Sequence, residues 1–390
     1  MSLRRTHKKS RGGCLECKRR HVKCDENRPT CLLCVRSERS CSFASAPTPK
    51  RHPTSPASIA YQNNGTPNAA SSSSRSPGCS GFQSLPLDEP INLSHMELLI
   101  HLSIDKGMFN LSDDVDDHHG GITFALHKGL EFPYLMHQML AYSARHLAFL
   151  HPEPLAPYLG LAIALQTRAI SLFNAASTQV DESNCVAVLL FSTALGHHLL
   201  ADTLAKRTPG GLEAFITHYI QCMETQRGIY TIARSAWPLL LETELETVLR
   251  ASVGFTSQIP KGNHCRQLRE LIEESQGLTD ADKEACGVAI HYLQIGFDAI
   301  LAEKEHSYRH QMIFSWSMLA PPEFVALLAA KRPEALIVLA YYALMLYHGR
   351  SMWQVGDAGT FLMNIIVEYL GPEWGRWLQN PRDEVVRTVE

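Results

Sequence analysis

The stretch CLECKRRHVKCDENRPTCLLCVRSERSC, residues 14–41, decides how the chain is read. Its cysteines are Cys14, Cys17, Cys24, Cys31, Cys34 and Cys41, and they form two half-repeats of Cys-x2-Cys-x6-Cys joined by six residues. A two-residue gap lets two thiolates reach one ion from a tight turn, and a six-residue gap leaves room for a short helix before the chain returns to the metal. Thiolate-bound zinc is tetrahedral, with bonds of about 2.3 Å. Two separate four-ligand sites need eight donors and only six are present, so two sulfurs must serve both ions. The symmetry of the repeat points to equivalent positions in the two halves as the bridges. A segment this small cannot fold by apolar burial. Metal binding has to supply the folding free energy, on the order of 10–16 kcal/mol per structural zinc.

Charge adds a second constraint. Residues 1–41 hold 12 Lys+Arg and 4 Asp+Glu, while the remainder holds 24 basic and 35 acidic residues. A basic head on an acidic body predicts that the head meets a polyanion. The half-repeats also differ. The first carries Lys18, Arg19, Arg20, His21 and Lys23 after its second cysteine; the second carries Arg36, Glu38 and Arg39 at the matching place. The first half is therefore expected to face double-stranded DNA. A short helix there would bring side chains to guanine edges and phosphates in the major groove. The N-terminus MSLRRTHKKSRGG lacks an apolar stretch and predicts no secretory signal. In a reducing compartment, clustered cysteines read as metal ligands. The basic residues Arg4, Arg5, Lys8, Lys9 and Arg11 suit nuclear import or a phosphate-contacting arm.

Residues 14–41, with Arg28-Pro29 ahead of the fourth cysteine, resemble the fungal six-cysteine binuclear zinc cluster family of transcription factors. The resemblance implies that Cys14 and Cys31 bridge two zinc ions. It implies further that Arg20 and His21 read a CGG triplet and that Lys18 and Lys23 contact the DNA backbone. His21 departs from the lysine most frequent at that place in the family. The implied fold of residues 1–43 is a zinc-stabilised cluster domain with two short helices, and the implied compartment is the nucleus.

Residues 44–90 are rich in Pro, Ser, Thr, Asn and Ala, include the run Ser71–Ser74, and lack hydrophobic periodicity; they are read as a disordered linker. No heptad follows the cluster, so a homodimer is not indicated by a coiled coil. Monomer binding, dimerisation through the body and a partner protein stay open. Residues 91–390 read as all helix, from apolar residues at three- and four-residue spacing. The expected helices are 94–107, 133–150, 155–177, 183–203, 210–234, 238–252, 264–276, 279–303, 320–331, 333–351 and 357–371. No segment alternates with period two. The most apolar run, Ala335–Tyr347, is 13 residues long. It suits a buried helix, and no membrane span is expected.

The body offers no Gly-rich phosphate loop, His-Glu-x-x-His or Gly-x-Ser-x-Gly, so no enzyme is expected. The run Asp113-Asp114…Asp116-Asp117-His118-His119 is read as a solvated turn. His137, His146, His197, His198 and His348 are read as satisfied core or groove positions. Three stretches resemble the regulatory domain of fungal factors related to the sterol uptake control proteins: Met96–His101; Phe132–His137; and Phe314–Trp316 with Arg332–Tyr342 and Leu370–Trp374. The resemblance implies an all-α regulatory domain and, near the C-terminus, a pocket for an apolar small-molecule ligand. Met318, Phe324, Tyr341, Tyr342, Met345, Met352 and Trp353 lie there at helical spacing and read equally as core. The expectation is a regulator of RNA polymerase II genes that meets the transcriptional machinery, in sterol homeostasis or a secondary-metabolite pathway. The alternative is a zinc-dependent protein-interaction module that never reads DNA.

Overall fold

A computed structural model describes residues 13–20, 22, 24–27, 30–37, 39–43, 91–108, 118–152, 157–176, 179–207, 209–302 and 309–387. The chain divides into two compact units, residues 1–85 and 86–390. The N-terminal arm, the residues read as a linker, His21, Lys23, Arg28-Pro29 and the run Asp113–Asp117 lie outside the described residues.

The N-terminal unit holds two one-turn helices, α1 (Leu15–Arg19) and α2 (Leu32–Arg36). The first cysteine of each half, extended at φ −60° and ψ 156° for Cys14 and φ −72° and ψ 148° for Cys31, caps the helix that follows it. Two backbone bonds then recur in both halves. Lys18 N–H donates to Cys14 O and Val35 N–H to Cys31 O, both at 3.1 Å, while Val22 N–H donates to Cys17 O and Arg39 N–H to Cys34 O. Leu15, Leu32 and Val35 are exposed. Among the described residues the buried side chains are the six cysteines, with Leu33 and Phe43 packed partly against them. Among the described residues of this unit there is no apolar core apart from the cysteine cluster.

The second unit is helical throughout, with no strand among the described residues. Its helices are α3 (Leu93–Ile104), α4 (His118–Glu131), α5 (Pro133–Leu150), α6 (Tyr158–Ala175), α7 (Cys185–Ala205), α8 (Gly211–Ser235), α9 (Trp237–Leu240), α10 (Glu246–Thr256), α11 (Arg266–Glu274), α12 (Asp280–Ile300), α13 (Gln311–Leu319), α14 (Pro322–Ala329), α15 (Pro333–His348), α16 (Ala358–Leu370) and α17 (Gly375–Arg387). Pro133 and Pro333 open α5 and α15 at the first turn, where the missing N–H costs nothing. Gly371 ends α16 at φ 71°, a conformation that favours glycine.

Two packing layers follow from the apolar pattern. The larger is built around α15, whose residues from Glu334 to Tyr347 are all buried. A helix apolar on every side must be surrounded, and α11, α12, α13, α14, α16 and α17 enclose it. Trp316 of α13 stacks on Tyr342 with ring centroids 4.5 Å apart and donates its indole N–H to Ala289 O at 2.9 Å. The smaller layer packs α3, α4, α6 and α7 on α5. The turn between α15 and α16 ties the layers together. Trp353 Nε1–H donates to Met108 O at 2.7 Å, and Gln354 Nε2 donates to Met108 O and to Tyr142 Oη.

Three helices run where none was expected, and one expected helix is divided. α4 begins at a His-His-Gly-Gly sequence beside an acidic run, which reads as a loop, yet Ala125 and Leu126 pack on the smaller core. α13 is nine residues long, too short to establish a period, and its Met312, Ile313 and Trp316 are wholly buried. α17 contains Pro381, which reads as a break, but Leu378 and Val385 dock on the larger core. The span expected over 238–252 separates into α9 and α10. The 21-residue α7 is long and apolar enough to cross a membrane, which the sequence reading did not flag. It packs between α5 and α8 and buries His198, so it serves as a core helix and gives no clear membrane span.

Candidate metal centre and nucleic-acid interface

The six cysteine sulfurs converge in the N-terminal unit. Two tetrads form, one of Cys14, Cys17, Cys24 and Cys31 and the other of Cys14, Cys31, Cys34 and Cys41, each with its sulfurs within 4.8 Å of one another. Cys14 and Cys31 belong to both. Cys14 Sγ lies 3.7 Å from Cys31 Sγ and from Cys34 Sγ, and Cys17 Sγ lies 3.6 Å from Cys31 Sγ. A disulfide needs about 2.05 Å. Two thiolates on one tetrahedral zinc with bonds of about 2.3 Å sit about 3.8 Å apart. The sulfurs fit shared metal ions and not disulfides.

The backbone around them is arranged for negative charge. Cys14 N–H and Glu26 N–H both point at Cys24 Sγ, at 3.4 Å. In the second half, the Cys31 backbone N–H brings the Cys41 thiol down to about 7 against the opposing effect of burial, and the Phe43 N–H assists. Cys34 behaves oppositely, pushed up to about 12 by burial and then by neighbouring sulfurs. Buried thiols this close cannot all ionise unaided. Two divalent cations held by the six sulfurs would supply the compensating charge.

The exposed side of α1 carries Lys18, Arg19 and Arg20. Arg19 makes a two-pronged ion pair with Glu16, at 3.1 and 3.0 Å, and Arg39 reaches the same carboxylate at 3.3 Å. These cations hold Glu16 below the usual carboxylate range. Arg20 Nη1 donates to Ser37 Oγ at 3.1 Å, across to the second half. Asp25 accepts the Leu32 N–H at the start of α2. The expectation gave base contacts to Arg20 and His21 and backbone contacts to Lys18 and Lys23, without weighing Glu16, one residue before Cys17. The Glu16 carboxylate pairs with Arg19, while Arg20 reaches Ser37 instead.

Residues 12–51 match the model of the fungal Zn(2)-Cys(6) binuclear cluster domain. The N-terminal unit carries a fungal Zn(2)-Cys(6) cluster. Such a domain binds two zinc ions, and the two sulfur tetrads stand in position for them. Across 98% of this chain and 86% of its own length, a Zn(2)-C6 fungal-type transcription factor of Gibberella zeae is 22% identical. The lysine biosynthesis regulatory protein LYS14 of Saccharomyces cerevisiae is 52% identical over 12% of this chain and 6% of its own length. Sterol uptake control protein 2 of Candida albicans is 48% identical over 11% of this chain and 6% of its own length. The last two likenesses are too short to carry an argument about the helical body. The cluster domain, with a relative along nearly the whole chain, supports a DNA-binding transcription regulator and points to a non-enzymatic role.

In the body, the residues named for an apolar pocket pack as core, apart from the half-buried Met318. Phe324, Tyr342 and Met345 are wholly buried and Met352 nearly so. Among the described residues two concavities open on the body, the second reaching Tyr341 of that set. An apolar one of about 820 Å³ lies along α3, lined by Leu93, Met96, Ile100, Ile104 and Leu147 with Glu97, His101 and Asp105. A polar one of about 560 Å³ lies among α11, α15 and α17, with His264, Tyr341, Asp383 and Glu384. Of the histidines read as core, His146 and His198 are buried, His197 stacks on Phe314, His348 contacts Glu384 at 3.1 Å, and His137 bonds Pro133 O.

Proposed function

We propose that the cluster reads CGG-type triplets in double-stranded DNA through its first half-repeat, acting in the nucleus. Cys14, Cys17, Cys24, Cys31, Cys34 and Cys41 hold the two zinc ions, with Cys14 and Cys31 bridging. The observation that carries this reading is the pair of tetrads that share those two sulfurs, with α1 and its basic face set directly on them. Two divalent ions leave six thiolates with a net charge of about −2. The surrounding arginines and lysines outweigh it and make the surface attractive to phosphate. Arg20 and His21 take the base contacts, with Lys18 and Lys23 on the backbone and Arg19 held by Glu16.

Arg20→Ala tests the assignment. A good base contact contributes about 1–3 kcal/mol of discrimination. The variant is expected to reduce the gel-shift preference for a CGG duplex over a scrambled one by about tenfold or more. An unchanged ratio removes the proposed docking geometry.

For the pathway, we infer control of sterol or secondary-metabolite biosynthesis, with the body receiving the signal. What supports this is the resemblance of the three body stretches. The alignment with a sterol uptake control protein adds nothing to it, because it covers 11% of this chain. An apolar ligand near the C-terminus would have to displace Tyr342 and Met345 from the core. Lipid extraction of the purified chain followed by mass spectrometry checks it, and the absence of any bound or bindable apolar molecule removes the ligand. Mapping binding sites across the genome tests the pathway. The expected sites lie upstream of such biosynthetic genes.

A further inference from the structure

A second group of metal-ligating side chains lies in the body, and neither the cluster nor DNA reading uses it. His101 on the last turn of α3, Asp105 just beyond that helix, and His146 on α5 place donor atoms within 4.8 Å of one another. His101 Nε2 and His146 Nδ1 stand 3.0 Å apart. Ligand nitrogens on one tetrahedral zinc, with bonds of about 2.0–2.1 Å, sit about 3.3–3.4 Å apart, so the two nitrogens need to part by only about 0.3–0.4 Å, exchanging their hydrogen bond for a shared ion. Asp105 Oδ2 is 3.9 Å from the other nitrogen of His101, while Oδ1 accepts the Gly107 N–H at 2.9 Å. Asp105 has left the helix, at φ −80° and ψ 105°. Its carboxylate can therefore turn toward the rings without disturbing α3.

We propose that His101, His146 and Asp105 form a binding site for a divalent transition metal ion such as zinc. Imidazole and carboxylate donors suit zinc and its neighbours rather than magnesium or calcium. The site is built and not merely a surface coincidence. His146 is buried and its ring lies against Trp353, with centroids 4.8 Å apart. Trp353 is itself fixed through its bond to Met108 O. Burial pushes His146 down to about 4 and lowers His101 as well. Both rings are thus neutral near pH 7, the form that ligates metal. The 820 Å³ concavity along α3 opens onto His101 and Asp105, which gives an ion a way in and leaves room for water as a further ligand. Glu97 stands on its rim, where Tyr158 Oη–H donates to the carboxylate. The site joins α3, the first described helix after the residues read as a linker, to α5 and the turn that spans the two layers. A bound ion would clamp α3 onto the body.

The test uses the full chain with its cluster already loaded. Zinc is titrated in by equilibrium dialysis and the bound ions are counted. Wild type is expected to take up one ion per chain beyond those of the cluster, and His101→Gln and Asp105→Asn are expected to lose it. Cobalt added to the zinc-loaded chain should show ligand-field bands without thiolate charge transfer, which separates this site from the cysteines. The thermal midpoint of the body should rise with zinc in wild type and stay fixed in both variants. Both altered residues lie at the edge of the fold, and either variant alone suffices for the comparison. Uptake that stops at the cluster ions, or extra uptake that both variants retain, overturns the proposal.

Discussion

Cys14 and Cys31 differ from the other four cysteines because each serves both tetrads. Their substitution should therefore differ in kind. Cys14→Ser is expected to remove both ions, whereas Cys24→Ser removes one and leaves the other tetrad complete; counting zinc per chain on purified protein checks this. Sequence arithmetic required two shared sulfurs and could not choose them, because the choice depends on which caps turn inward. DNA contacts separate in a similar way. Lys23→Ala is expected to weaken CGG and scrambled duplexes equally and to lower the salt slope by about one. Arg20→Ala acts on the ratio alone. A neutral imidazole donates one hydrogen bond and a lysine up to three, so His21→Lys should tighten the CGG complex severalfold, read as a dissociation constant. In the body, burial pushes His198 down to about 4, partly opposed by Asp202 at 3.6 Å. An unfolded histidine titrates near 6.5. The unfolded chain thus binds more protons between those values, and stability falls as pH drops from about 6.5 toward 4. Denaturant midpoints at neutral pH and near pH 5 should show this loss, and His198→Gln should make it shallower.

At the scale of elements, legibility followed burial. α15 was read nearly to its ends because thirteen apolar residues in a row admit one structure, a surrounded helix. α5 and α7 were likewise read within two residues at each end. α4, α13 and α17 were hidden by a Gly-Gly pair, by shortness and by an internal proline. In each, tertiary docking overrides local preference. Gly359 of α16 shows the converse, a packing demand that sequence does not announce. A Cβ there would lie 2.4 Å from Tyr347 N and 2.6 Å from Ala343 O, both backbone atoms of α15 that cannot step aside. Gly359→Ala is expected to destabilise the body by about 1–3 kcal/mol, through overpacking. Denaturant unfolding measures it, and an unchanged midpoint would mean that the two helices are not held so closely. At α1, the ion pair of Arg19 with Glu16 was legible in principle from their i, i+3 spacing. Its two-pronged geometry, with Arg39 on the same carboxylate, needed the coordinates.

For the whole molecule, the units draw stability from different sources. The first rests on metal–thiolate bonds and the second on apolar helices packed in two layers. Chelation should therefore abolish DNA binding while the far-ultraviolet helical signal, which comes mostly from the body, persists; circular dichroism and gel shift on one sample check both. The class of each unit was readable from cysteine spacing and apolar period. The tie through Trp353 and Gln354 to Met108 spans some 245 residues of chain, and no local pattern reports such a contact. The central claim, that the cluster reads sequence rather than charge alone, is tested most directly by salt-titrated affinity of the zinc-loaded full chain for a CGG duplex and a scrambled duplex. Affinity for both should fall as salt rises, with the CGG duplex bound at least tenfold more tightly at every salt concentration. Equal affinities throughout would contradict the account and leave a nonspecific polyanion binder.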